Sequence, residues 1–144
     1  MALNEKLVDD HYITADPAAI LTKASGALFI SMRDLKQAFW QIPMEEKSRK
    51  YTSFRCFMGQ FCFNFMPYGL KVGPKIFQRL MDKILRGAHS YAAVHLDDIA
   101  CLSMTWDQHL VHLREIFTRL RNAELTLNTN KCQWAMECIH CLGH

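Results

Sequence analysis

Two short apolar runs, Tyr91-Ala92-Ala93-Val94-His95-Leu96 and Ile99-Ala100-Cys101-Leu102, enclose the adjacent carboxylates Asp97-Asp98. That arrangement predicts a tight hairpin with the acidic pair at its tip. Two neighbouring carboxylates without a basic neighbour repel each other and are costly to hold beside a hydrophobic sheet. A solvated turn is the plain structural reading, because an Asp side chain satisfies local backbone amides. A divalent cation reverses the preference, since carboxylate-rich oxygen sites are what Mg²⁺ binds. Such a site needs a further carboxylate, and Asp34, which ends the other strongly apolar strand, is the candidate.

The rest of the chain supplies elements to cover such a hairpin. Asp16 and Pro17 give an N-cap and first-turn proline, and Gly26 a stop, predicting a short helix over 17–24. Ala27-Leu28-Phe29-Ile30-Ser31-Met32 reads as a mostly buried strand, and the aromatic-rich stretch from Tyr51 to Phe65, centred on Met58-Gly59-Gln60, as a β-hairpin. Pro74 opens a second helix with Ile76, Phe77, Leu80, Met81, Ile84 and Leu85 on one face, closed by Gly87. Thr105 and Gln108 make a capping box for a third, with Leu110, Leu113, Phe117 and Leu120 at core spacing. Ile139 to Leu142 reads as a last short strand. Interleaved helices and strands with an antiparallel hairpin define an α+β class.

Length and composition set the outer limits. A chain of 144 residues that is 50% hydrophobic and 22% charged supports one domain with a sizeable core. No apolar run approaches the ~18–20 residues that span a bilayer, so no membrane partner is expected. The N-terminus lacks the apolar stretch of a secretory signal, so the six cysteines are read as reduced thiols of a cytoplasmic or nuclear protein. The net charge of +3 is concentrated: residues 51–100 carry six basic and three acidic groups, and the segments on either side are balanced. That bias points weakly to an anionic partner. Lys71, Lys75, Arg79 and Lys83 recur every four residues, as either a phosphate-facing stripe or a solvated helix face, the latter preferred because the opposite face is so apolar. Cys138-x₂-Cys141 with His144, near Cys132 and His140, has zinc-ligand spacing, but the two cysteines fall along an expected strand.

Several segments together resemble a known family. Asp34-Leu35-Lys36-Gln37-Ala38-Phe39-Trp40-Gln41-Ile42-Pro43-Met44 resembles the first catalytic motif of reverse transcriptases from gypsy-type LTR retrotransposons. Met66-Pro67-Tyr68-Gly69-Leu70-Lys71, continuing through Pro74 and Phe77-Gln78-Arg79, resembles the template- and nucleotide-facing motif. Val94-His95-Leu96-Asp97-Asp98-Ile99 resembles the Y-x-D-D hairpin. Leu127-Asn128 with Lys131-Cys132, and then Leu142-Gly143-His144, resemble the last two palm motifs, ending in the primer grip.

The resemblance implies a polymerase palm: an antiparallel sheet backed by helices, with a partial fingers hairpin. It divides the chain into a palm start over 1–42, a finger-hairpin remnant over 43–66, and palm to primer grip over 67–144. It implies nucleotidyl transfer from a dNTP to a primer 3′-hydroxyl on an RNA or DNA template, with two Mg²⁺ or Mn²⁺ ions. Asp34 and Asp97 would bridge the ions, Asp98 support them, and the Leu35 carbonyl assist. Amides of Gln37 and Ala38 would hold the triphosphate, Phe39 would lie under the sugar, and Tyr68 near the base. Lys131 would stand near the leaving group as general acid. His95 and Leu96, with Leu142, Gly143 and His144, would contact the primer.

Two residues depart from the family's pattern. His95 stands where the Y-x-D-D motif has tyrosine, and Arg33 where an apolar side chain is usual. In a strand ending at Asp34, Arg33 points away from the carboxylates, toward the helices, unless a local bulge moves it out. The remaining fingers and the thumb, with the other segments of a Pol polyprotein, are expected partners that the sequence does not contain, so weak or absent polymerisation by the isolated chain is expected. The alternative reading is a non-catalytic, domesticated or decaying retroelement remnant that at most binds nucleic acid or protein.

Overall fold

The computed structural model describes residues 2–13, 22–95 and 97–136. The expected helix over 17–24 falls largely outside them, with only Thr22–Ala24 described as helical, and the expected strand from Ile139 to Leu142 falls wholly outside.

The sheet is built on β1 (Phe29–Asp34), which begins and ends two residues later than the apolar run alone suggested. It pairs antiparallel with β5 (Asp98–Ser103), and β5 with β4 (Ala92–His95), so the acidic hairpin is present, with Asp97 in its turn and Asp98 opening β5. A fourth strand, β6 (Gln133–Met136), adds to the far side of β1, giving the order β4-β5-β1-β6. The β2–β3 hairpin (Phe54–Cys56 and Gly59–Phe61) is separate, turns at Phe57-Met58, and leaves Phe57 97% exposed.

Strand alternation gives the sheet two unlike faces. One carries Ala92, Val94, Ile99, Cys101, Ser31 and Arg33 and is covered by helices α2 (Gly73–Ile84) and α3 (Trp106–Asn122). The other carries Ile30, Ala93, Ala100 and Leu102 toward the hairpin root, and Asp34 and Asp98 at its end. α2 has Pro74 in its first turn and docks through Phe77, Met81 and Leu85, one turn apart. Ile76, assigned to that stripe by spacing, lies at its exposed edge, and buried Gln78 reaches the Val94 carbonyl instead.

α3 starts as expected: Thr105 Oγ1 accepts from the Gln108 amide at 3.3 Å. It ends in a Schellman arrangement, with Glu124 N–H donating to the Arg121 carbonyl and Leu125 N–H to the Leu120 carbonyl, both at 2.9 Å. Glu124 therefore takes the left-handed position at φ 57°, where glycine is usual. Leu110 is exposed and His109 takes the buried position, where its ring meets two buried hydroxyls of the sheet. His109 Nε2 lies 2.7 Å from Ser31 Oγ, and its Nδ1 lies 3.0 Å from Ser103 Oγ. Spacing alone favours the leucine, because a sequence does not show which hydroxyls wait beneath the helix.

Arg33 is fully buried on the helix side, which excludes the bulge that would have moved it out. The register irregularity on β1 lies toward β6, between Ile30 and Met32, and leaves the pairing of Arg33 with Ile99 intact. No helix among the described residues is long and apolar enough to cross a membrane.

Candidate catalytic site

β1 ends at Asp34 and β5 begins at Asp98, and the two are direct partners in the antiparallel register. Residues paired this way share a face, so both carboxylates project on the face opposite α2 and α3. Asp97 is joined to them through the backbone: the Leu35 amide donates to the Asp97 carbonyl at 3.1 Å. Asp97 is exposed and Asp98 half-buried. Burial first, then the charges of Asp97 and Asp34, raises the Asp98 pKa; His95 and Lys131 act weakly in the opposite sense.

Lys131 Nζ lies 3.6 Å from Asp34 Oδ2, with Lys131 71% and Asp34 16% exposed. At that separation it is an ion pair without a full hydrogen bond. Asn128 grips the same aspartate twice, its amide donating to the Asp34 carbonyl at 2.8 Å and its Nδ2 to Oδ2 at 3.3 Å. His95 pairs across the hairpin with Asp98, and its buried Nδ1 has no hydrogen-bond partner among the described residues.

Beyond Asp34 the chain turns sharply, with Gln37 in the left-handed region at φ 50°, and enters a 3₁₀ turn over Ala38–Gln41. Phe39 meets Tyr68 edge to face at 5.3 Å and Phe77 at 5.7 Å. The loop is latched by Gln41: its Nε2 donates to the carbonyls of Lys36 (2.6 Å) and Thr126 (3.0 Å), and its Oε1 accepts from the Thr126 amide (2.6 Å). Gln41 and Asn128 are the positioning residues that sequence reasoning passed over. Both lie within quoted motifs, yet nothing about an amide side chain signals a latch until its partners are known.

Asp34, Asp98, Leu35, His95 and Lys131 thus gather with Asp97 at one end of the sheet, and Phe39 and Tyr68 form a second group reached through the Gln37 turn. Leu96, Leu142, Gly143 and His144 lie outside the described residues, as do Cys138, His140 and Cys141 of the zinc-like spacing. Among the described residues no group of three or more His, Cys, Asp or Glu side chains is disposed to hold a metal ion as it stands.

A four-stranded antiparallel sheet with helices behind and acids at the end of its central pair is the architecture of a polymerase palm. The chain matches the reverse transcriptase (RNA-dependent DNA polymerase) family over residues 3–144, and it belongs to that family. It is 34% identical over 142 residues to the enzymatic polyprotein of cauliflower mosaic virus, which covers 99% of this chain and 21% of the polyprotein. It is 35% identical over 143 residues to the retrovirus-related Pol polyprotein from transposon 297 of Drosophila melanogaster, covering 99% of the chain and 14% of the polyprotein. The chain therefore spans about a fifth or less of these relatives. They include plant viruses as well as a transposon, so the gypsy-type lineage is not singled out. Its fold matches the foamy viral protease-reverse transcriptase solved with double-stranded DNA, with a TM-score of 0.91 at 24% identity over 99% of this chain and 25% of that one.

Proposed function

We propose that the chain forms the catalytic palm of an RNA-directed DNA polymerase, joining a dNTP to a primer 3′-hydroxyl on an RNA or DNA template. The reading is carried by the register that opposes Asp34 and Asp98 beside Asp97 while offering them one exposed lysine. Carboxylates held together against their own repulsion fit a hard divalent cation. The open arrangement fits Mg²⁺ or Mn²⁺ in particular, which are commonly held by one or two carboxylates plus substrate phosphates. Asp34, Asp97 and Asp98 would hold two such ions, which when bound activate the attacking hydroxyl and neutralise the leaving pyrophosphate.

The remaining roles belong to the chain itself. Lys131, held 3.6 Å from Asp34, is the candidate proton donor to the leaving group. The amides of Gln37 and Ala38 hold the triphosphate, and the left-handed Gln37 turns the backbone to present them. Phe39 is buttressed by Phe77 behind it, so its ring can lie under the sugar and exclude a 2′-hydroxyl. Tyr68, 57% exposed, is free to meet the base. His95 and Leu96, with Leu142, Gly143 and His144, take the primer end.

Titration with Mn²⁺ followed by electron paramagnetic resonance tests the reading, alongside RNA-templated primer extension. Mn²⁺ binding by the native chain that Asp34→Asn and Asp97→Asn each abolish, with any extension lost in the same variants, is expected. Mn²⁺ binding unchanged in both variants would overturn it. Absence of binding in the native chain would instead favour a non-catalytic remnant, the reading to which His95 and Arg33 lend weight.

A further inference from the structure

The basic stripe of α2 divides into two halves. Lys75 Nζ pairs with Asp9 Oδ1 at 3.0 Å, and Arg79 Nη2 pairs with Asp10 Oδ1 at 2.5 Å, so the first half clasps the segment after α1 (Ala2–Lys6). The second half surrounds a cavity of about 640 Å³ lined by Tyr12, Arg79, Asp82, Lys83, Arg86 and His89. Asp82 is the one acid in that lining, and its carboxylate is already engaged: Oδ2 accepts from the Tyr12 hydroxyl at 2.5 Å and Oδ1 from Gln78 Nε2 at 3.0 Å. The side chains of Lys83 and Arg86 form no ion pair among the described residues. Around the rim, Lys23 Nζ bonds the His89 carbonyl and Arg119 Nη1 bonds the Arg86 carbonyl.

Arg79 is matched by Asp10, but Lys83 and Arg86 bring two further cations to a concave site that holds one carboxylate, Asp82, so an added anion would be drawn to them. Cationic side chains near a helix C-terminus gain a little from the helix dipole, which explains their tolerance but not a cavity between them. The arginine fork and the lysine ammonium together suit the oxygens of a phosphate ester.

Position then separates this site from the carboxylates. α2 turns Phe77, Met81 and Leu85 toward the helix-covered face of the sheet, so its outward stripe points farther still from the face of Asp34 and Asp98. Along the axis, a rise of 1.5 Å per residue puts Arg79 about 9 Å and Lys83 about 15 Å from the end of α2 that follows Tyr68.

We propose that this cavity is a phosphate-binding site taking the backbone of single-stranded nucleic acid on the far side of the palm from the carboxylates. The proposal rests on the polymerase reading for its choice of ligand, and the concave form favours one strand over a duplex. Contacts of this kind carry no sequence information and position a strand.

The test is fluorescence anisotropy of a labelled single-stranded oligonucleotide across about 50–200 mM salt, with the same-sequence duplex and inorganic triphosphate as competing ligands. Lys83→Glu with Arg86→Glu is expected to weaken single-strand binding about tenfold and to lower the salt slope by about 1.4, for two lost phosphate contacts. Lys83→Gln with Arg86→Gln, gentler on folding, gives a smaller loss in the same direction. Asp34→Asn with Asp97→Asn leaves single-strand binding in place, and the Lys83/Arg86 variants leave Mn²⁺ binding in place, so the two proposals fail separately. Unchanged affinity and salt slope in both Lys83/Arg86 pairs would overturn the site. A loss confined to the duplex, or to triphosphate, would overturn the single-strand assignment.

Discussion

Arg33→Met is expected to stabilise the fold. The guanidinium is fully buried, and its three nitrogens meet no oxygen or nitrogen acceptor among the described residues, with the Cys101 sulfur giving only a weak polar contact. Its compensation is two rings, Phe117 at 4.9 Å and Trp134 at 5.2 Å from the guanidinium carbon. Burial drives its pKa downward, opposed by the nearby thiols of Cys101 and Cys132. The cost of burying a charge is several kcal/mol, whereas each cation–π contact returns about 0.5–2 kcal/mol. The difference leaves about 1–3 kcal/mol for an unbranched apolar side chain of similar length to recover. For a domain of this size, that is a rise of about 3–9 °C in Tm. Scanning calorimetry with urea denaturation measures it, and Arg33→Lys is the companion, expected to lower Tm by retaining charge while losing the planar stacking. Arg33 projects from the opposite face of the sheet to Asp34 and Asp98, so Mn²⁺ binding should not change. A fall in Tm for Arg33→Met would refute the reasoning, by showing that the guanidinium is held by more than its two rings.

The other predictions concern caps and titration. Glu124→Gly relieves a left-handed residue at the end of α3 and is expected to stabilise by about 0.5–1 kcal/mol in urea denaturation. Burial, with help from Arg33 and His112, lowers the His109 pKa. The unfolded chain therefore takes up the proton first, and stability is lost as pH falls below about 6.5, an effect that His109→Gln should blunt in pH-dependent melting. Asp98 has the opposite sign: its raised pKa means that ionising it costs stability as pH rises through its folded value. Asp98→Asn should therefore raise Tm at neutral pH without metal and reduce the stabilisation that Mg²⁺ gives the native chain.

The hairpin, its acidic tip, the two long helices and the cap of α3 were legible because each rests on neighbours in sequence. Thr105 and Gln108 are three residues apart, and the Val94 and Ile99 strands flank their own turn. What escaped rests on partners far along the chain. β6 has no alternation of its own, and Trp134 and Met136 are partly exposed; it forms because β1 offers an edge about a hundred residues upstream. The stripe on α2 was divided between phosphate and solvent, and half of it instead clasps Asp9 and Asp10, more than sixty residues away. Asp34 was joined to Asp97 and Asp98 by its place at the end of an apolar strand, and the resemblance to polymerase motifs points to the same three, yet neither says anything of Gln41 or Asn128 as latches.

Those latches bear on the site's charge. The loops around Asp34 are tied down chiefly by neutral amides, Gln41 to Thr126 and Asn128 to Asp34, with the exposed Lys131 ammonium standing off at 3.6 Å. Adjacent residues of β1 then place charge of opposite sign on opposite faces, Arg33 behind the sheet and Asp34 before it. A chain arranged only for stability would pair such charges; this one separates them with a layer of backbone. The front charges remain available to a cation, and the rear charge is sealed from solvent between two rings. Divalent metal should therefore stabilise the native chain and Arg33→Met by equal amounts, leaving their difference in Tm constant from metal-free buffer to saturating Mg²⁺. A difference that shrinks as metal is added would show the two faces to be coupled through the strand.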